Sequence, residues 1–298
     1  MSKLLAHGGN SLALVKHLGR RLGANGATCR RWDRLPDVAA RQFPCLPAGV
    51  NCDLNCDLGE GEPPARTRAL MRRVTSVNVA CGVHAGDVAT MERCVRLAKA
   101  MGVKVGAHPG VAGAFGRGEV RLTPAELRRL LRAQVGELRR LTEQHGVRLH
   151  HVKLHGALYH AVEREPALGR CYVETVSREF TGLTIYALAG GRLAALGQSR
   201  GLTVWEEAFL DRGYRDDGSL VPRSEAGALL TSPAPVRARL RSLLERGGWV
   251  TVSGGWVNLS PRTLCVHGDT PGALRLLGAI RQEMAAGHSG KHRPRPAG

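Results

Sequence analysis

The sequence predicts an α/β fold built on a parallel sheet, and three observations carry that prediction. Seven short apolar segments suited to strands alternate with helical segments between residues 50 and 287. The connections between them are short, and none is a linker rich in Pro, Gly or Ser. Hydrophobic residues make up 43% of the chain and aromatics only 4%, so a substantial core is available and it is mainly Leu, Val and Ala. Strict strand–helix alternation implies parallel strands joined by right-handed crossovers. A closed barrel and an open doubly wound sheet both satisfy the pattern. No G-x-G-x-x-G follows the first strand and no G-x-x-x-x-G-K-[ST] occurs in the chain, which counts against an open nucleotide-binding sheet.

The first strand is expected over 50–57, followed by a short helix over 64–73. A second strand spans 74–80. Asp87 then caps a helix with Met91, Val95, Ala98 and Met101 on one face, closed by Gly102. A strand over 103–107 precedes Thr123-Pro124-Ala125-Glu126, a capping box with Pro at the first helical position. The helix it opens buries Leu127, Leu130, Leu131, Val135, Leu138 and Leu141, turns its Arg residues to water and stops at Gly146. Strands follow over 149–154, 183–188 and 202–206, with helices over 165–179 and 191–199. A polar loop leads to a helix over 234–246. The segments 249–252 and 256–259, split by Gly254-Gly255, suit a small hairpin. The last strand covers 263–267, and Asp269-Thr270-Pro271 opens a helix reaching Met284.

Residues 1–48 differ from the rest. They are basic, acid-poor and without a signal-peptide apolar core, and are expected to be a disordered extension. Residues 49–287 are read as one catalytic domain and 288–298 as a basic disordered tail. The formal charge of +18 is spread over both ends and over helix surfaces. It is not a basic patch interleaved with aromatics, so nucleic-acid binding is not expected. No apolar run approaches the roughly 20 residues of a membrane span. The eight cysteines form no C-x-x-C pair, and buried thiols in a reducing, cytoplasmic setting are expected.

Polar residues gather where the strands end. The first strand ends at Asp57 and Glu60, the second runs to His84 and Asp87, and the third ends at His108. The fourth carries Lys153 and His155, the sixth leads to Asp211 and Arg212, and the seventh ends at His267. In a parallel barrel these ends share one rim, where enzymes of that architecture place their sites. Each residue alone has a plainer explanation. Asp87 and Asp269 suit helix N-caps, Asn55 and Asn78 suit bridges between strands, Cys81 suits a buried thiol, and Lys153 suits a structural ion pair. The joint pattern, with six of seven strands ending in ionisable side chains, points to a site.

Eight stretches in order carry a resemblance: 53–60 (DLNCDLGE), 78–87 (NVACGVHAGD), 106–110 (GAHPG), 115–117 (FGR), 152–159 (VKLHGALY), 208–214 (AFLDRGY), 220–223 (LVPR) and 265–272 (CVHGDTPG). Together they resemble the LamB/YcsF lactam-utilisation family, which includes the A subunit of the bacterial ATP-dependent 5-oxoprolinase. The chain departs from the expected pattern at Val111-Ala112-Gly113, Gly118, Leu154 and His160. The resemblance implies an irregular (β/α)7 barrel of the glycoside hydrolase/deacetylase type. It also implies ATP-dependent cleavage of 5-oxo-L-proline to L-glutamate in a complex with 5-oxoprolinase subunits B and C, with ATP bound largely by those partners. A requirement for a divalent metal such as Mg2+ is left open, and no residue is assigned as a metal ligand.

From their shared position at strand ends, Asp57, Glu60, His84, His155 and Asp211 are the expected catalytic residues. Asn55, Asn78, His108, Lys153, Arg212 and His267 are the expected substrate-binding ones. A carboxylate or His would deliver water to the lactam, activated at its oxygen by phosphoryl transfer, and a His would protonate the departing nitrogen. Two rivals remain. One is a metal-dependent amide hydrolase or deacetylase without ATP that uses Asp57, His84 and His108 as ligands. The other is a non-catalytic lactam-binding subunit.

Overall fold

The computed structural model describes residues 52–113 and 120–289. Seven parallel strands close into a barrel: β1 (Asp53–Leu58), β2 (Ser76–Ala80), β3 (Lys104–His108), β4 (Leu149–Val152), β5 (Thr184–Leu188), β6 (Val204–Phe209) and β9 (Thr263–Cys265). β9 pairs with both β6 and β1 and so closes the ring. Of the two arrangements that strand–helix alternation allows, the chain adopts the barrel. Two short strands, β7 (Gly248–Val250) and β8 (Trp256–Asn258), pair antiparallel outside it as the expected hairpin.

Helices α1 (Pro64–Met71), α2 (Val88–Met101), α3 (Pro124–Gln144), α4 (Gly156–Arg164), α5 (Pro166–Glu179), α6 (Arg192–Ser199), α7 (Pro233–Arg246) and α8 (Ala273–Ser289) surround the strands. Local signals fix several ends. Asp87 accepts from Thr90 N at 2.7 Å, and Gly102 closes α2 at φ 65°, a conformation that costs glycine little. Thr123 and Glu126 form the reciprocal capping box that opens α3.

Three expectations change. α4 was not foreseen, because His155 makes no side-chain cap at its start and Gly156 occupies its first position. α8 begins at Ala273, past the Asp269-Thr270-Pro271 start, since the Thr270 hydroxyl is held by Asp211. α8 also continues to Ser289, into the stretch expected to be tail. The expectations for 1–48 and for 290–298, and the FGR motif at 115–117, lie outside the described residues.

Alternation along each strand sorts side chains into two layers. On β1, Leu54, Cys56 and Leu58 face the helices and are fully buried. Asp53, Asn55 and Asp57 face the barrel axis, and their bonds reach across it. Asp53 accepts from the Ser76 hydroxyl at 2.5 Å, from Thr263 at 2.8 Å and from Tyr186 on β5 at 3.2 Å. Above it, Asn55 donates to Glu207 at 2.9 Å and to Thr263 at 2.8 Å, and accepts from Asn78 at 2.8 Å. His151 Nε2 lies 2.7 Å from Asn78 Oδ1, and its ring stacks on Tyr186 with centroids 3.8 Å apart. A polar barrel axis is tolerable because these groups bond to one another.

Gly106 makes room for this layer. A Cβ there would stand 2.0 Å from His151 Nε2, and the stack on Tyr186 blocks the ring from swinging away. Gly106→Ala is therefore expected to destabilise the barrel by at least the roughly 1–3 kcal/mol typical of overpacking. The thermal unfolding midpoint checks this; an unchanged midpoint would show that the axis yields.

Candidate functional site

The C-terminal strand ends meet at one rim and form two adjoining groups. The first is Glu60, just past β1, with His84 from the β2–α2 loop, His108 at the end of β3 and His155 after β4. The Glu60 Oε1 atom lies 3.0 Å from His155 Nδ1, 3.3 Å from His84 Nε2 and 3.6 Å from His108 Nε2. The rings of His84 and His155 stack in parallel with centroids 3.8 Å apart, and His108 meets both edge-on. Gly110 permits the stack, since a Cβ there would stand 2.6 Å from His84 Nδ1 and 3.1 Å from His155 Cβ.

Burial pushes His84 below the ordinary imidazole value and His108 down to about 3, so both are neutral at neutral pH. Burial works to raise the Glu60 carboxyl, but hydrogen bonds from His155 and His84 hold it well below the usual range. The site thus offers an ionised carboxylate beside neutral imidazoles. These four residues form a group that could hold a metal ion, although the four were not expected together as a ligand set.

The second group lies one step deeper. Lys153 enters the barrel and its ammonium lies 2.9 Å from Glu207, 3.1 Å from Asp57 and 3.1 Å from Cys265 Sγ. Burial lowers the Lys153 pKa, but Asp57, Cys265 and Glu207 outweigh it and the net shift is well upward. Asp57 moves the other way. Burial raises it, and Lys153 followed by His108 brings it well below normal. Glu207 is raised, burial exceeding the pull of Lys153. It is fully buried, and with burial its charge pushes the nearby Tyr159 phenol well up.

Beside this pair stands a dyad. Asp211 is fully buried and accepts from His267 N at 3.0 Å, from the Thr270 hydroxyl at 2.6 Å and from His267 Nδ1 at 3.0 Å. Burial raises Asp211, but the His267 charge and these bonds bring it below the ordinary carboxylate value. Phe209 stacks on the His267 ring. The imidazole is thereby fixed in plane and tautomer, with Nε2 left to act.

The expected site residues therefore divide. Glu60, His84, His108, His155, Asp211 and His267 come together at the rim, and Asp57 sits just beneath it. Asn55 and Asn78 are taken up by bonds between strands inside the barrel, and Lys153 by its ion pairs. Arg212 clasps loop backbone, donating from Nε to Ala228 O and from Nη2 to Val221 O. These four were expected to meet substrate, and each has internal partners in this structure. Cys81 is a buried thiol bonded to Val79 O, pushed by burial to about 12. Glu207, at the end of the sixth strand, and Thr270 were given no role at the site from sequence. Strand alternation is the signal for Glu207: with β6 running to Phe209, Glu207 faces the axis, while Glu206 outside meets Gly190 N.

Several relatives match this chain over most of their length. The chain is 43% identical to a Limosilactobacillus fermentum protein named as the A subunit of 5-oxoprolinase, covering 78% of this chain and 95% of that one. It is 42% identical to a Pyrococcus abyssi protein of the same name, covering 78% and 93%. The crystal structure of a lactam utilization protein from Thermus thermophilus superposes with a TM-score of 0.73 at 35% identity, over 80% of this chain and 97% of that one. The family model matching residues 52–295 spans every barrel strand and both rim groups, and by that match the chain belongs to the LamB/YcsF family.

Proposed function

We propose that this chain is the A subunit of an ATP-dependent 5-oxoprolinase, opening 5-oxo-L-proline to L-glutamate together with subunits B and C. The observation that carries the reading is the Asp211–His267 dyad facing Glu60 across one rim, in a chain whose relatives at 42–43% identity bear that name. Ring opening needs a water oxygen bonded to the lactam carbonyl carbon, cleavage of the C–N bond and a proton on the leaving nitrogen. Glu60, ionised beside neutral imidazoles, accepts the water proton. His267, doubly protonated for this step, delivers its Nε2 proton to nitrogen while Asp211 accepts from Nδ1–H, and exchange with solvent afterwards removes the proton from Glu60 and restores the one on His267.

A lactam oxygen made a better electron sink by phosphoryl transfer explains the ATP. The sequence holds no G-x-x-x-x-G-K-[ST] phosphate-binding motif, which supports ATP being bound largely by the partner subunits. Among the described residues no helix is long and apolar enough to cross a membrane. Six described cysteines are free and buried, which suits a reducing cytoplasm.

The test is glutamate release from 5-oxo-L-proline by this chain with and without ATP and subunits B and C. Glutamate formed only by the complete, ATP-supplied mixture is expected; none from it overturns the reading. The four-donor group favours one second reading, an ATP-independent metal amide hydrolase, which glutamate release by the isolated chain without ATP selects.

A further inference from the structure

We infer that Glu60, His84, His108 and His155 form a binding site for one borderline divalent cation of the Zn2+ class. The inference concerns the same rim as the proposed activity and rests on that reading only for what the ion does, not for whether it binds.

The convergence of ligand atoms carries the argument. His108 Nδ1 lies 2.8 Å from Lys153 O, a carbonyl that only accepts, so Nδ1 carries the hydrogen and the neutral ring presents a lone pair at Nε2. That lone pair faces acceptors: Glu60 Oε1 and Asp57 Oδ2, each at 3.6 Å. His155 Nδ1 lies 3.0 Å from His108 Nε2 and 3.0 Å from Glu60 Oε1, and its single hydrogen serves only one of them. Glu60 Oε1, His84 Nε2, His108 Nε2 and His155 Nδ1 thus converge on one small space, and a cation at its centre would engage all four.

The distances agree. Donors held about 2.0–2.1 Å from a tetrahedral ion stand roughly 3.3–3.4 Å apart. Four of the six separations run from 3.0 to 3.6 Å, and all four donor atoms lie within 4.8 Å of one another. The bond from His108 Nδ1 to a backbone carbonyl is the outer contact that metal-binding imidazoles usually make. Three nitrogens and one carboxylate oxygen favour Zn2+ or a neighbouring transition metal over Mg2+ or Ca2+, which prefer oxygen. Asp57, Cys265 and His267 also lie close together, but the Lys153 ammonium already fills that space.

In the proposed reaction the ion would polarise the lactam oxygen or a bound water, Glu60 binding it through Oε1 and keeping Oε2 for the water proton.

The test uses the isolated full-length chain, freed of metal with a chelator and titrated with Zn2+ by calorimetry. One equivalent bound per chain is expected. X-ray absorption at the zinc edge of the wild-type complex should show three imidazole nitrogens, and Co2+ in its place should give the intense visible bands of four-coordination. Glu60→Gln, partly exposed and isosteric, and His155→Gln should lose these signals while keeping the wild-type circular dichroism. No stoichiometric binding, or an absorption spectrum with fewer than three imidazoles, overturns the inference. Glutamate release is scored separately: metal binding without turnover retains the site and counts against the activity, and turnover without metal binding does the reverse.

Discussion

Lys153→Met should cost the barrel about 3–5 kcal/mol, the range for removing one partner of a buried ion pair. Met has similar length and no charge, so the loss is electrostatic rather than a cavity. In the wild type one ammonium serves two carboxylates, Glu207 at 2.9 Å and Asp57 at 3.1 Å, all three side chains at most 5% exposed. Without it both are buried and uncompensated, and both pKa values must rise above the unfolded carboxylate values of about 4. The sign of the pH dependence follows. Between about pH 4 and the raised folded values, the folded variant binds more protons than the unfolded chain, so its stability rises as pH falls. The deficit against wild type should therefore be largest near pH 8 and shrink toward pH 5, by up to about 1.4 kcal/mol per pH unit for each proton taken up. Urea unfolding at both pH values reads this directly. Asp57→Asn and Glu207→Gln added to Lys153→Met should recover most of the loss. A deficit under about 1 kcal/mol at pH 8 would show that water or a shift of the strands replaces the ammonium.

How much of this was legible in the sequence depends on the layer. The barrel's apolar side was plain, because Leu54, Leu58, Val77 and Val79 repeat at period two and the helices carry clear caps at Asp87 and Thr123. The rim was plain as well, since chain order alone places the ends of parallel strands together. The axis was not. Asn55 and Asn78 looked like substrate contacts because a strand-end position says nothing about depth; the register that sets Asp57 opposite Asn78 puts them below the rim. Lys153 reads the same in sequence whether it reaches solvent or a buried carboxylate. Its partner Glu207 lay one residue past the expected end of the strand. The metal-capable group was illegible for a related reason. Its donors come from four separate segments, Glu60, His84, His108 and His155, with no H-x-x-H spacing to announce them, and only barrel closure brings them within reach of one another.

The dyad supplies the second large effect. If His267 Nε2 moves a proton to the leaving nitrogen, His267→Gln should lower glutamate release by the reconstituted complex by about 10²–10⁴-fold, the usual worth of a positioned general acid. Asp211→Asn tests what positions it. The Asn oxygen can still accept from Thr270, but its amide donates toward His267 Nδ1, which then carries a lone pair, and the hydrogen moves to Nε2. The neutral ring still has a proton to give but has lost the carboxylate that stabilises its charged form. The loss should fall mainly on kcat, because Asp211 is fully buried and touches no solvent. The two changes act on one imidazole, so the double variant should be little worse than His267→Gln alone. Losses that multiply would place the residues in separate roles. Asp211→Asn with more than about half of wild-type kcat would remove the dyad from the mechanism. Glu60, across the rim and bonded to a different set of imidazoles, would then remain the group on which water activation rests.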